Sequence, residues 1–379
     1  VNASSAFGSE VADDLPDSLV GSSIGEVTLF VAEWAWWDWW DPQGLVVVGR
    51  PTRSDIRVDV HRFAPLGSVS RSLAAAPSPP SSGGVALINA LGMLAGYQLE
   101  TLDPVTAQHL IVEAMRRAFR DRAEYLGDPD FVDVPVEQLT HPFYAAGQRA
   151  SIRFDRATPS ADLPGILPAG TKGTETTHFS VMDAEGNRVA ASLSLNFWFG
   201  SGFMAPGTGV FLNNEMDDFS IKAGVPNGYQ LVGADANKIV PGKRMLSSMT
   251  PTFLESDRGI AILGTPGGSR IISMVLLASL AWHQGASAEE MVSLPRYHHQ
   301  YLPDQVQFEP GALSEALQNR LREMGHELQA HRGVVVHHNG GATPCGKGPG
   351  VYPTGWVLCP ACSPPAGSWW RCWRPSLLI

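Results

Sequence analysis

Two stretches alternate between apolar and polar residues, His178 to Met182 and Asn187 to Leu195, with Asp183-Ala184-Glu185-Gly186-Asn187 between them. Alternation with period two is the mark of a strand with two different faces. A three-residue loop, Ala184 to Gly186 with glycine in the left-handed position, is a favoured hairpin connection. The register then pairs residues whose numbers sum to about 370, which sets Thr176 opposite Ser194. Thr176, His178 and Ser180 share one side, as do Ser194 and Asn196 on the partner strand. Val189, Ala191, Leu193 and Leu195 are expected to take the apolar side.

Elsewhere the spacing is helical. Val85, Ile88, Leu91, Leu94 and Ala95 recur at intervals of three and four, which predicts a helix with one buried face. Asp103-Pro104 supplies an N-cap followed by proline at the first helical position. The helix it opens carries a stripe of Ala107, Leu110, Ile111, Ala114 and Ala118. Arg116, Arg117, Arg120 and Arg122 are read as its solvated or subunit-facing side, and Gly127-Asp128-Pro129 ends it. Residues 152 to 175, with several prolines, read as an exposed connector. Strands are expected around Val210 to Leu212, Thr252 to Leu254 and Ile260 to Leu263, with a Gly/Pro/Asn-rich loop from Lys222 to Asn237. Gly267-Gly268 leads into a helix from Ile271 to Trp282, Ser287 to Glu290 is a capping box, and Leu313 to Met324 is a last amphipathic helix. Strands layered with helices make this an α+β sandwich.

At 379 residues and 44% hydrophobic, the chain can bury a sizeable core and has room for two domains. A net charge of −10 argues against nucleic acid or an anionic membrane surface as partner. The longest apolar run, Ile271 to Trp282, is too short for a membrane span, which needs about 20 residues. No basic-then-apolar leader follows Val1, so localisation stays open.

The ends differ from the middle. Trp34, Trp36, Trp37, Trp39 and Trp40 fit neither helix nor strand periodicity, and residues 1–75 are set apart for that reason. Ala74 to Ser82 is a Pro/Ser linker. Beyond Glu327 there is no Asp or Glu, and all four cysteines, Cys345, Cys359, Cys362 and Cys372, fall there. Cys359-Pro360-Ala361-Cys362 is half of a zinc pattern without its second half, so no metal and no cofactor is expected. The expectation is that residues 1–75 and 331–379 are out-of-frame or foreign sequence around a genuine middle, which the other frames of the encoding DNA would reveal.

A threonine hydroxyl beside a serine hydroxyl and an amide, at the open end of a hairpin, is a candidate for chemistry. Gly173-Thr174-Glu175-Thr176-Thr177-His178-Phe179-Ser180-Val181 resembles the subunit junction of the γ-glutamyltransferase family, autoprocessed members of the N-terminal-nucleophile hydrolases. Five further blocks resemble it in order and spacing: Pro79 to Gly84, Glu124 to Pro129, Leu212 to Ser220, Leu246 to Pro251, and Gly264 to Arg270. Pro295-Arg296-Tyr297-His298-His299-Gln300 is a sixth, and the likeness covers roughly residues 76 to 330.

The resemblance implies an αββα sandwich, incomplete at the heavy-subunit N-terminus and at the C-terminus. Residues 76–175 would be the C-terminal part of the heavy subunit and 176–330 the light-subunit catalytic region. It also implies cleavage between Glu175 and Thr176, because an N-terminal threonine carries its own base, the α-amine. Ser194 would hydrogen-bond the nucleophile, and Gly267 and Gly268 would offer N–H groups as an oxyanion hole. Glu215 and Asp218 would hold the substrate α-ammonium, with Asn196, Ser247 and Ser248 around the glutamyl head and Tyr229 in the lid. The implied partners are glutathione and other γ-glutamyl compounds with amino-acid or peptide acceptors, and the implied location is periplasmic or secreted.

The family's arginine clamp for the substrate α-carboxylate has no counterpart here, and Phe197-Trp198-Phe199-Gly200 is bulkier than in many members. Two other readings stay open: a cephalosporin-type acylase, favoured by an apolar wall at Phe197 and Trp198, and a truncated, inactive homologue. Without the clamp and part of one sheet, the chain is expected to be poorly soluble and to show little transfer.

Overall fold

The computed structural model describes residues 46–48, 56–59, 73–164, 175–182, 188–197, 199–256, 259–330, 343–344, 350–353 and 356–359. The tryptophan cluster, Trp198, the hairpin loop at 183–187 and Cys345, Cys362 and Cys372 lie outside them.

Three strands open the described chain, β1 (Val46–Val48), β2 (Ile56–Asp59) and β3 (Leu73–Ala76). Helices α1 (Gly83–Leu94), α2 (Pro104–Tyr125), α3 (Val136–Leu139) and α4 (Pro142–Ala150) follow. The hairpin is β4 (Glu175–Met182) with β5 (Arg188–Asn196), and β6 (Thr252–Ser256) pairs with β7 (Gly259–Leu263). Then come α5 (Ile271–His283), α6 (Ala288–Ser293), β8 (Tyr297–His298), β9 (Val306–Phe308), α7 (Glu315–Glu323) and β10 (Leu328–Ala330). The last strands are β11 (Thr343–Pro344), β12 (Gly350–Pro353) and β13 (Trp356–Cys359).

These form a four-stranded sheet in the order β1-β5-β4-β12, a six-stranded sheet β11-β13-β7-β6-β3-β2, and a small sheet β10-β9-β8. The first two meet face to face, with β5 against β7 and β4 against β13. Helix α1 packs on β2 and β3 and on α2, α4 and α5. The architecture is α+β, as the sequence pattern predicts. The small sheet was not foreseen, because strands of two or three residues leave almost no periodicity to read. Around Val210 to Leu212 only an isolated bridge between Met204 and Phe211 forms, not a strand.

Three expectations are corrected by burial. Helix α1 is buried nearly all round, not on one face: Val85 and Ile88 join a small cluster with Leu126 and Leu139, while Leu87, Ala90 and Met93 join the main core. On the hairpin it is the polar face that turns inward. His178, Ser180, Ser192, Ser194 and Asn196 are buried; on the apolar side Ala191 is buried too, while Val189, Leu193 and Leu195 are only half-buried. Polar groups are tolerated inside because they satisfy one another. His178 Nδ1 lies 2.8 Å from Ser192 Oγ and Nε2 lies 3.2 Å from Ser180 Oγ. The ring sits against Gly264, where a Cβ would lie 2.1 Å from it. Burial holds the His178 pKa down to about 3, so the ring is neutral.

The third correction is the arginine run of α2. Arg116, Arg117 and Arg122 are buried, not solvated. Arg116 and Arg117 both bind Glu113, Arg116 also reaches Asp304, and Arg117 donates to Ser151 Oγ at 2.9 Å. Desolvation pushes Glu113 up, but the two guanidinium groups outweigh it and hold the carboxyl at about 2. The same network pins the start of the expected exposed connector. Ile152 and Ser160 are buried, and Ser160 Oγ donates to the Tyr301 carbonyl at 2.7 Å. Residues 165–174 lie outside the described chain.

The entry to α1 is a tight backbone crossing. A methyl group on Gly84 would lie 2.0 Å from the Pro77 carbonyl oxygen. Gly84→Ala is therefore expected to lower stability by about 1–3 kcal/mol through overpacking, read as a lower urea midpoint at unchanged slope.

Candidate active site

Thr176 and Ser194 face each other across the hairpin, with a register irregularity between Glu175 and Thr176 that brings Glu175 opposite Asn196. The Thr176 hydroxyl donates to Ser194 Oγ at 3.3 Å, and the Asn196 N–H donates to the same oxygen at 2.8 Å. With both acceptor positions filled, the Ser194 hydrogen points onward, and the Glu215 carboxylate accepts it. Asn196 takes a left-handed backbone (φ 73°), which ends β5 and turns its amide to donate to the Asn214 carbonyl at 3.0 Å. Asparagine is among the few residues that adopt this region readily.

The opposite wall is glycine. Gly267 and Gly268 have φ of 141° and 55°, and Gly268 opens the single turn that runs into α5. Nothing but glycine fits at 268, because a Cβ would lie 2.1 Å from Tyr229 Cε1. Tyr229 is buried, its hydroxyl donates to the Asn196 carbonyl, and its ring meets Phe197 edge to face at 5.2 Å.

A third wall comes from residues far away in sequence. Ser81 bridges Ser247, Ser247 N–H donates to the Pro80 carbonyl at 3.1 Å, and Ser82 Oγ donates to the Ser247 carbonyl at 2.6 Å. Ser247 Oγ accepts from Met249 N–H at 3.1 Å. Ser248 Oγ accepts from Arg122 Nη2 at 3.1 Å, and Arg122 Nε donates to Ser82 Oγ at 2.9 Å.

Together these walls form a narrow, partly open cleft lined by Thr176, Ser194, Asn196, Glu215, Asp218 and Tyr229, with Ser247, Ser248, Met249, Gly268 and Ile271. Every sequence-predicted site residue is here except two. Gly267 lies one residue behind the lining, with Met274 where its Cβ would be. Glu175 is not among the lining residues and pairs with Asn196 along the strand. Trp198 is outside the described residues, and Phe197 is not among the lining residues but packs on Tyr229, which is.

The electrostatics are lopsided. Burial raises the pKa of Glu215, opposed by its bonds from Ser194 and Asn196, and its Oε1 has no partner among the described residues. Asp218 is pushed well above the ordinary carboxylate range, by desolvation first and then by Glu215, with Arg122 opposing. Two carboxylates at the bottom of a cleft are poised for a cation.

Arg122 was missed by its charge, yet a signal existed. It continues the stripe of Leu110, Ala114 and Ala118 at intervals of four. Burial lowers its pKa to about 10, opposed by Asp218, which still leaves it charged at neutral pH. His109, Glu113 and His326 gather at metal-ligand distances elsewhere, but Arg116 and Arg117 already occupy Glu113.

The family model described as gamma-glutamyltranspeptidase matches residues 61–340. The glutathione hydrolase proenzyme of Pseudomonas sp. (strain A14) is 46% identical over 255 residues, 66% of this chain and 44% of that protein. The glutathione hydrolase proenzyme of Escherichia coli (strain K12) is 44% identical over 244 residues, 63% of this chain and 42% of that one. A crystal structure of cephalosporin acylase from Bacillus halodurans superposes with a TM-score of 0.57 at 25% identity, covering 73% of this chain and 46% of that one. The chain spans less than half the length of each of these three relatives.

Proposed function

The chain belongs to the gamma-glutamyltranspeptidase family, and from that premise we propose that it is an autoprocessing γ-glutamyltransferase and glutathione hydrolase with Thr176 as nucleophile. The observation that carries the reading is the cleft itself: a threonine hydroxyl held by Ser194, a glycine turn opposite, and a buried carboxylate pair between them.

In the first step Thr176 Oγ attacks the Glu175 carbonyl carbon, and the peptide C–N bond breaks as the Thr176 nitrogen takes up the hydroxyl proton. Water then hydrolyses the resulting ester. This releases a heavy part ending at Glu175, with residues 76–175, and a light part starting at Thr176, with residues 176–330. The new α-amine is the base for turnover. Thr176 Oγ attacks the γ-carbonyl of glutathione or a related donor, the amine leaves with the transferred proton, and the acyl group passes to water or to an amino-acid or peptide amine. Gly267 and Gly268 N–H groups would meet the oxyanion, Glu215 and Asp218 the α-ammonium, and Asn196, Ser247, Ser248 and Tyr229 the rest of the head group. The chemistry uses no metal or cofactor, and no helix among the described residues is long and apolar enough to cross a membrane.

Phe197 packs on Tyr229, which lines the cleft beside the apolar Met249 and Ile271, and an acylase is the second reading. A glutaryl group has no α-ammonium and would leave Glu215 and Asp218 unpaired. Purified protein on a denaturing gel is expected to give two bands, the second beginning Thr-Thr-His-Phe, and to release aniline faster from a γ-glutamyl than from a glutaryl anilide. A single uncut band would refute the assignment, and preference for the glutaryl compound would favour the acylase.

A further inference from the structure

Gln300 is buried in the turn after β8, and nothing in the chemistry above uses it. Its Nε2 lies 3.1 Å from the Tyr229 carbonyl oxygen and 3.2 Å from that of Leu302. Carbonyl oxygens only accept, so Nε2 donates both hydrogens and the amide has one orientation. Oε1 then accepts from Ser269 Oγ at 2.8 Å and from His298 Nε2 at 2.7 Å. His298 must carry its proton on Nε2, which leaves Nδ1 to accept from Ser273 Oγ at 2.6 Å. Burial first, then the Arg270 charge, hold the His298 pKa down to about 3, and the neutral ring fits this scheme.

The ends of this chain of bonds matter. Ser269 directly follows Gly268, and Ser273 lies in the first turn of α5. Tyr229 covers Gly268 with its ring and holds the Asn196 carbonyl with its hydroxyl. One amide thus ties the glycine turn to the aromatic residue that packs on it, although the three segments are about 30 to 70 residues apart in sequence.

We propose that Gln300 is a positioning residue that fixes the Gly267–Gly268 turn against Tyr229, so that the turn's N–H groups meet the oxyanion formed on the acyl carbonyl. The inference rests on the Thr176 chemistry proposed above. Donors aimed at an oxyanion act through their placement, and a shift of about 1 Å can lower the rate about a hundredfold.

Gln300→Met keeps the length of the side chain and removes all four bonds. Ser269→Ala removes one and leaves the rest. Both are measured with a γ-glutamyl anilide and with a boronic-acid analogue of the γ-glutamyl head, which forms a tetrahedral adduct on a threonine hydroxyl. In Gln300→Met, kcat is expected to fall about a hundredfold with KM within about threefold, and the boronate to weaken in step with kcat/KM. Ser269→Ala should move both in the same direction by less. A rise in KM at constant kcat, or unchanged boronate binding in a folded variant, would overturn the role. Should Gln300→Met fail to fold, unchanged kcat and boronate affinity in Ser269→Ala would overturn it instead. A single uncut band from the unsubstituted protein would overturn the nucleophile reading, and this inference with it.

Discussion

Thr176→Ala is expected to stay a single uncut chain and to release no aniline from a γ-glutamyl anilide above background. One hydroxyl serves both reactions: it attacks the Glu175 carbonyl in cleavage, and the acyl carbonyl in turnover. Loss of a nucleophile in enzymes of comparable logic lowers kcat by about 10⁶-fold. The substitution removes the 3.3 Å bond to Ser194 and leaves the ladder of β4 and β5 in place, so the fold should survive. Thr176→Ser keeps the hydroxyl and is expected to cut and turn over, more slowly. Two bands in Thr176→Ala, cut at the same bond, together with aniline release would remove Thr176 from both reactions. Cleavage without turnover would show that two different groups do the two jobs.

The register of that hairpin was legible because period two allows no compromise: a slip of one residue would move Thr176 to the wrong face. The pairing Thr176 with Ser194, and every pair on to Met182 with Arg188, follows the predicted sum. Which face turns inward was not legible. Hydropathy favoured Val189, Leu193 and Leu195, but the second sheet brings Gly264 to the polar side, where His178, Ser180 and Ser192 bond to one another. A rule that counts hydrophobic residues cannot see partners supplied from the same strand pair.

The same limit explains the arginines of α2. A guanidinium is usually at the surface, and its exceptions depend on acceptors that local sequence does not show. Arg116 finds Asp304, which is 188 positions away, and Arg122 finds Ser248, which is 126 away. Arg122 alone offered a local hint, by falling on the buried stripe. The motif blocks located Ser247 and Ser248, Glu215 and Asp218, and the glycine pair, but not what holds them. Ser81 and Ser82 against Ser247, and Gln300 between Ser269 and Tyr229, are contacts between blocks.

The carboxylate pair sets the second large effect. In Asp218→Ala, kcat/KM for γ-glutamyl substrates is expected to fall by about 2–5 kcal/mol, or roughly thirtyfold to several thousandfold, because truncation leaves a desolvated ammonium facing Glu215 alone. A substrate lacking the α-amino group should lose far less. The pH profile has a definite sign. Burial, and for Asp218 also the neighbouring Glu215, raises both pKa values above the ordinary range, with Asp217 adding to the rise at Asp218 and Arg122 opposing it. The pair titrates as a unit. As pH falls through its raised pKa the carboxylates take up protons, the ammonium loses its counter-charge, and kcat/KM drops on the acid side earlier than an ordinary carboxylate would cause. Stability runs the other way. A carboxyl whose folded pKa exceeds its unfolded value favours the folded state as it protonates, so the ligand-free protein gains from this pair as pH falls. A γ-glutamyl ligand should therefore raise Tm most at pH values above the pair's pKa, and Asp218→Ala should flatten that dependence. Equal ligand-induced Tm shifts on both sides of the acid limb, or an unchanged kcat/KM in Asp218→Ala, would remove the pair from substrate binding.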